Sequence, residues 1–130
     1  MERHVNLVGI LTSLWGALAM LVGVSMLLLS AGALVELLDP VGSGMGFAAG
    51  LTATVLALIG VFALLWGGAH TWAALLLKRR RPLGRVLSLG LAVVNLLVLP
   101  FGTAFGAYAL WVLLTDEGRR LFEPANAAAQ

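Results

Sequence analysis

The sequence predicts an all-α fold, a four-helix transmembrane bundle of two long helices plus a shorter helical hairpin, with both ends of the chain on the cytoplasmic side. Three observations point there. Apolar residues make up 61% of the 130 residues and charged residues 11%, with a mean hydropathy of +1.02, whereas soluble domains run at about 45–50% apolar and about 25% charged. The apolar residues are gathered into runs, two of them longer than the roughly 20 residues that cross a bilayer. The eight Lys and Arg residues stand at the ends of those runs rather than within them.

The first helix is expected over about residues 5–30, extending toward Leu38. Ser30-Ala31-Gly32-Ala33 has the small residues of a signal cleavage region, but the run before it far exceeds the roughly 7–15 residues of a signal core, and Glu2 dilutes the positive start. An uncleaved span is therefore expected. Asp39-Pro40-Val41-Gly42-Ser43-Gly44-Met45-Gly46 is dense in Gly with one Pro and reads as a connection. The second helix is expected over 47–77, ended by Lys78-Arg79-Arg80-Arg81-Pro82.

From Leu83 to Thr115 the chain is apolar again, interrupted by Asn95, Pro100, Gly102 and Thr103. This predicts two short helices, 83–99 and 104–115, joined at Pro100 and Gly102. At about 1.5 Å per residue, Val86–Leu99 reaches only about 21 Å, less than the roughly 30 Å of hydrocarbon. The pair either thins the bilayer locally or forms a hairpin whose tip stays below the outer surface. Residues 1–115 read as a single transmembrane domain and 116–130 as a cytoplasmic tail: a short interfacial stretch, then disorder. Four crossings place Arg3, Lys78, Arg79, Arg80, Arg81, Arg85, Arg119 and Arg120 on one side, which the positive-inside rule makes the cytoplasm. Three crossings would separate Arg119 and Arg120 from the rest.

Helices in lipid associate through close packing, which small residues permit. Gly9, Gly16, Gly23 and Ser30 recur every seven residues on the first helix, with Thr12 and Ala19 between them. On the second helix Gly46, Gly50, Ala53, Ala57, Gly60, Leu64, Gly67, Thr71 and Ala74 recur at alternating steps of four and three. Such a repeat predicts left-handed packing near +20°, with Gly16, Gly23, Gly50, Ala57, Gly60 and Gly67 as contact positions and Gly106 serving the same purpose on the fourth helix.

Candidate chemistry is sparse. His70 lies inside a predicted span and could contact a ligand or a proton path; its place about two turns before Lys78, beside Trp72, equally suits a headgroup-level anchor. Asn95 would need a hydrogen-bond partner within the bilayer, and glue between helices is the favoured role. Glu36 and Asp39 read as solvated charge. Trp72 and Trp111 fit an interfacial belt, while Trp15 and Trp66 lie deeper. Lys78, Arg79, Arg80, Arg81 and Arg85 are candidate contacts for anionic lipid headgroups. Cysteine is absent, excluding disulfides and thiolate metal sites. No phosphate loop, zinc-protease helix or nucleophile elbow is present, so no enzyme and no cofactor are expected. Basic residues confined to span ends do not form a nucleic-acid surface.

The stretch GRVLSLGLAVVNLLVLPFGTAFGAYALWVLLTDEGRRLF, from Gly84 to Phe122, resembles the C-terminal half of a group of small bacterial membrane proteins without an assigned activity. Their pattern, Pro-Phe/Leu-Gly-Thr-x-x-Gly-x-Tyr-x-Leu-Trp, appears here as Pro100, Phe101, Gly102, Thr103, Gly106, Tyr108, Leu110 and Trp111. The resemblance implies a four-helix protein of a bacterial cytoplasmic membrane. Within it Thr103 would cap the fourth helix and Tyr108 would reach Asn95 or a backbone carbonyl. The function expected is association, with itself or as an accessory subunit of a membrane complex, in contact with membrane lipids. The alternative is a small oligomeric channel or transporter with a pathway between protomers, for which His70, Asn95, Thr103 and Tyr108 are the candidate contacts.

Overall fold

The computed structural model describes residues 2–38, 46–98 and 100–122. Among these the chain is helical, without strands: α1 Glu2–Leu38, α2 Gly46–Lys78, α3 Pro82–Asn95, α4 Phe101–Leu114 and a short α5 Asp116–Arg120. The expected Asp39–Gly46 connection lies outside the described residues up to Met45, and the expected disorder of the tail lies outside them from Glu123 onward. The two long apolar helices are present, with 37 residues in α1 and 33 in α2. Each contains a stretch long and apolar enough to cross a membrane.

The chain divides into two compact units. The first described here, Gly16–Gly68, is an antiparallel pair made from the later part of α1 and the earlier part of α2. Its contacts follow the small-residue repeat. Gly16 faces Gly67, Gly23 faces Gly60, and the Ser30 hydroxyl donates to the Ala53 carbonyl at 2.7 Å. The register thus advances seven residues on both helices at once. A Cβ on Gly67 would stand 2.6 Å from the Gly16 carbonyl oxygen, and one on Gly23 2.9 Å from that of Gly60; contacts that short are incompatible with any side chain at these positions. Over each glycine a long side chain from the partner helix closes the gap: Leu64 over Gly23, Leu27 over Gly60 and Met20 over Gly67. Leu64, the one large residue in the α2 series, is therefore a knob seated above a glycine hole. Gly50 and Ala57 are half-buried, and Gly46 is exposed.

The second unit comprises Met1–Trp15 and Ala69–Gln130. Its core is Val5, Val8, Leu77, Ala92, Ala109, Val112, Leu113 and Phe122, drawn from the start of α1, the end of α2, α3, α4 and the residues just after α5. On α3 the buried face is Gly84, Ser88, Ala92 and Asn95, a helical spacing with a strip narrow enough for close approach. A Cβ on Gly84 would meet the α2 backbone at Leu76 and Leu77, and one on Gly106 would stand 2.5 Å from the Ala92 carbonyl oxygen. Glycine is what lets α2, α3 and α4 touch.

The α3–α4 connection differs from the expected bounds of 83–99 and 104–115. α3 stops at Asn95 and α4 starts at Phe101, because the turn is built by Leu96–Val98 rather than by Pro100–Thr103. Leu97 N–H donates to the Val94 carbonyl and Val98 N–H to that of Asn95, which closes the chain tightly. Pro100 already has helical backbone angles (φ −90°, ψ −23°) and stands at the N-cap, where its missing N–H costs nothing. Thr103 is inside α4, so it is not the cap expected of it; its hydroxyl donates back to the Leu96 carbonyl at 2.8 Å, and its N–H to Val98 at 3.1 Å. The turn thus meets much of its own backbone hydrogen bonding while exposing Leu97, Val98 and Phe101.

Candidate functional site

The polar side chains of the second unit fall into a buried group and a basic end. In the interior, His70 of α2 and Asn95 of α3 are both fully buried, with the Asn95 amide nitrogen 2.9 Å from His70 Nε2. With the amide nitrogen turned that way the imidazole accepts at Nε2, and Asn95 Oδ1 is enclosed without a hydrogen-bond partner. Ser88 Oγ is enclosed in the same condition. Asn95 is the last residue of α3, and the face it shares with Gly84, Ser88 and Ala92 carries it inward. His70 faces the interior of the unit: small residues on α2, with Ala73 and Ala74 also buried, turn that face inward and take the ring with it.

Tyr108 makes a contact the sequence did not suggest. Its hydroxyl lies 3.0 Å from His4 Nδ1, not against Asn95. His4 also meets Trp111 edge-on, ring centroids 6.1 Å apart, so three aromatic rings tie the start of α1 to α4. Thr103 belongs to the hairpin turn, and none of its bonds joins it to His70, Asn95 or Tyr108. The four candidate contacts thus form one pair, His70 with Asn95, and two separate features. Nothing in the periodicity of either helix marks His4 as the partner of Tyr108, 104 positions away.

At the basic end, the five candidate headgroup contacts divide. Lys78, Arg79 and Arg81 are exposed. Arg80 adopts a left-handed backbone conformation, φ 52°, and its Nη2 reaches Asn6 Oδ1 of α1 at 3.4 Å. Arg85 turns inward instead, with Nε donating to the Leu113 carbonyl at 2.9 Å. It caps the C-terminal end of α4, where a cation also meets the negative end of the helix dipole. On α5 the order is the favourable one for that dipole, Asp116 and Glu117 first, Arg119 and Arg120 last.

The Gly16–Gly68 pair carries an open groove of about 830 Å³ lined by residues that include Ser30, Leu34, Ala57, Phe62 and Leu65. Its hydroxyls are committed, Ser30 to Ala53 and Thr54 to the Gly50 carbonyl at 2.8 Å, so the surface offers only apolar contact. Among the described residues no three His, Asp or Glu side chains gather as a metal ion would require. Comparison with protein-family models, curated proteins and solved structures gave no match.

Proposed function

We propose that the chain is an integral protein of a bacterial cytoplasmic membrane that acts without catalysis, by associating with itself or with a larger membrane complex. The observation that carries the membrane reading is where the apolar surface lies. In the most apolar stretch of each long helix only 11% of residues are buried, whereas a core helix of a soluble protein is mostly buried. Leu, Val, Ile and Phe side chains on all sides of the Gly16–Gly68 pair face outward, among them Leu21, Leu28, Leu58, Phe62 and Leu65. Water would not tolerate that surface; hydrocarbon would.

In this reading α1 and α2 cross the bilayer with the 39–45 connection outside and all the Lys and Arg residues inside. α3 and α4, at 14 residues each, reach about 21 Å and form a hairpin that re-enters the membrane without crossing its roughly 30 Å. The turn at Leu96–Val98 supports this, since a hairpin tip in hydrocarbon must satisfy its own carbonyls and present apolar side chains.

Association is supported by what the polar residues do. His70 and Asn95 are buried against each other in the interior, and Tyr108 bonds His4, so neither His70 nor Asn95 faces a neighbouring protomer. What the chain offers to neighbours is shape and apolar surface. The test is gentle extraction into lipid discs, followed by native mass measurement across a dilution series. A defined oligomer or a stoichiometric membrane partner is expected. A monomer without partners that conducts ions in liposomes would refute the proposal.

A further inference from the structure

We infer that the α2–α3 turn is a seat for the phosphate of an anionic phospholipid, organised by Arg80; the inference rests on the membrane reading above. The turn is a Schellman motif made of arginines. Arg81 N–H donates to the Leu76 carbonyl and Arg80 N–H to that of Leu77, both at 3.0 Å, the paired bonds that end a helix in this way. The residue whose N–H closes the shorter of the two loops, here Arg80, must be left-handed, and glycine is the usual occupant because any Cβ is strained there. Arg80 holds that conformation at φ 52° in a chain that has 16 glycines. Among the described residues it is the one non-glycine with positive φ. Strain of this kind points to a side chain that is needed where it stands.

The Arg80 side chain is held but underbonded. Nη2 makes a long 3.4 Å bond to Asn6 Oδ1, and Nη1 is enclosed with no acceptor. A guanidinium is a fork of donors shaped for a phosphate or carboxylate, and among the described residues no carboxylate is bonded to it. A phosphate oxygen drawn against the turn would replace the long bond that Nη2 makes to Asn6 with a shorter, charge-assisted one. Lys78, Arg79 and Arg81 surround the position, exposed. The first turn of α3 follows at once but adds little, since Pro82 has no N–H and the Gly84 N–H is bonded to the Arg81 carbonyl at 2.9 Å. Arg85 takes no part, being committed to Leu113. A lipid phosphate, rather than a soluble one, is the source consistent with the exposed Leu83 and Val86, which continue apolar surface from the turn along α3.

The test uses the full chain in membranes. Its partition into the washed membrane fraction is measured first; recovery in the soluble fraction would refute the spanning reading itself. Selectivity for phosphatidylglycerol over phosphatidylcholine is then measured with spin-labelled lipids in reconstituted vesicles. Arg80→Gly keeps the turn geometry and relieves its strain, so the variant should melt no lower than the parent. It should nevertheless lose phosphatidylglycerol selectivity by about tenfold, and Arg80→Lys should lose part of it, since a point charge cannot replace the fork. Arg119→Gln with Arg120→Gln removes more charge from α5 and should change selectivity by no more than about twofold if bulk attraction is minor. The inference is overturned if Arg80→Gly retains full selectivity, if the α5 variant loses as much, or if excess glycerol phosphate displaces the labelled lipid.

Discussion

Adjacent glycines in α2 provide a sharp test of the packing. Gly67 and Gly68 have the same intrinsic helix cost and lie in the same compact unit. A Cβ on Gly67 would lie 2.6 Å from the Gly16 carbonyl oxygen and 2.8 Å from the Met20 backbone nitrogen, whereas one on Gly68 would meet nothing within 4 Å. The backbone atoms on α1 cannot yield as a side-chain end would, so Gly67→Ala must push the helices apart. Overpacking of that kind costs about 1–3 kcal/mol. Replacing Gly by Ala contributes at most about 1 kcal/mol of helix propensity in either variant, so this contribution cancels in the comparison. Gly68→Ala should be neutral or stabilising, and Gly67→Ala should fall below it by about 1–3 kcal/mol. Reversible unfolding in mixed detergent micelles, followed by tryptophan fluorescence, measures the difference. Equal shifts for the two variants, or stabilisation by Gly67→Ala, would refute the close antiparallel register.

Other interactions can be tested in the same way. Asn95→Leu removes the bond to His70 Nε2 and should cost about 1–3 kcal/mol; a double-mutant cycle with His70→Leu should return a coupling of about 0.6 kcal/mol and no more than about 1.7 kcal/mol, the average and the upper limit for hydrogen bonds between membrane helices. Arg85→Met removes the cap on the Leu113 carbonyl and should destabilise by about 1 kcal/mol, the charge-assisted value discounted for partial exposure. Thr103→Val, read by hydrogen exchange across residues 96–103, should loosen the hairpin turn by about 1 kcal/mol through loss of the bond to Leu96.

Some of this is legible in the sequence. The seven-residue recurrence of Gly9, Gly16, Gly23 and Ser30 and the alternating four-and-three recurrence on α2 mark faces, and each of those four α1 positions is buried, as are Ala53, Gly60, Gly67 and Ala74. Periodicity reveals a face because a face is local. It cannot reveal which residues meet across the fold: that His70 would find Asn95, or Tyr108 His4, depends on how far each helix slides past the next. The hairpin bounds are hidden for a different reason. Pro100 and Gly102 look like a turn in sequence, but proline is equally at home at the start of a helix. Gly102 is needed because a Cβ there would stand 2.6 Å from the Asn95 carbonyl oxygen. Charge alone groups Arg85 with its basic neighbours, and only the proximity of the α4 C-terminus turns it inward.

The central claim is that α1 and α2 cross a bilayer as a hairpin while α3 and α4 enter it and return. Single cysteines can be placed cleanly because the chain has none of its own. In intact cells an impermeant thiol reagent should label cysteine at Ser43, label cysteine at Gln130 only after permeabilisation, and leave cysteine at Leu97, in the hairpin turn, unlabelled from either side. Labelling of Ser43 and Gln130 from the same side would contradict the crossing of α1 and α2, and external labelling at Leu97 would contradict the re-entrant hairpin.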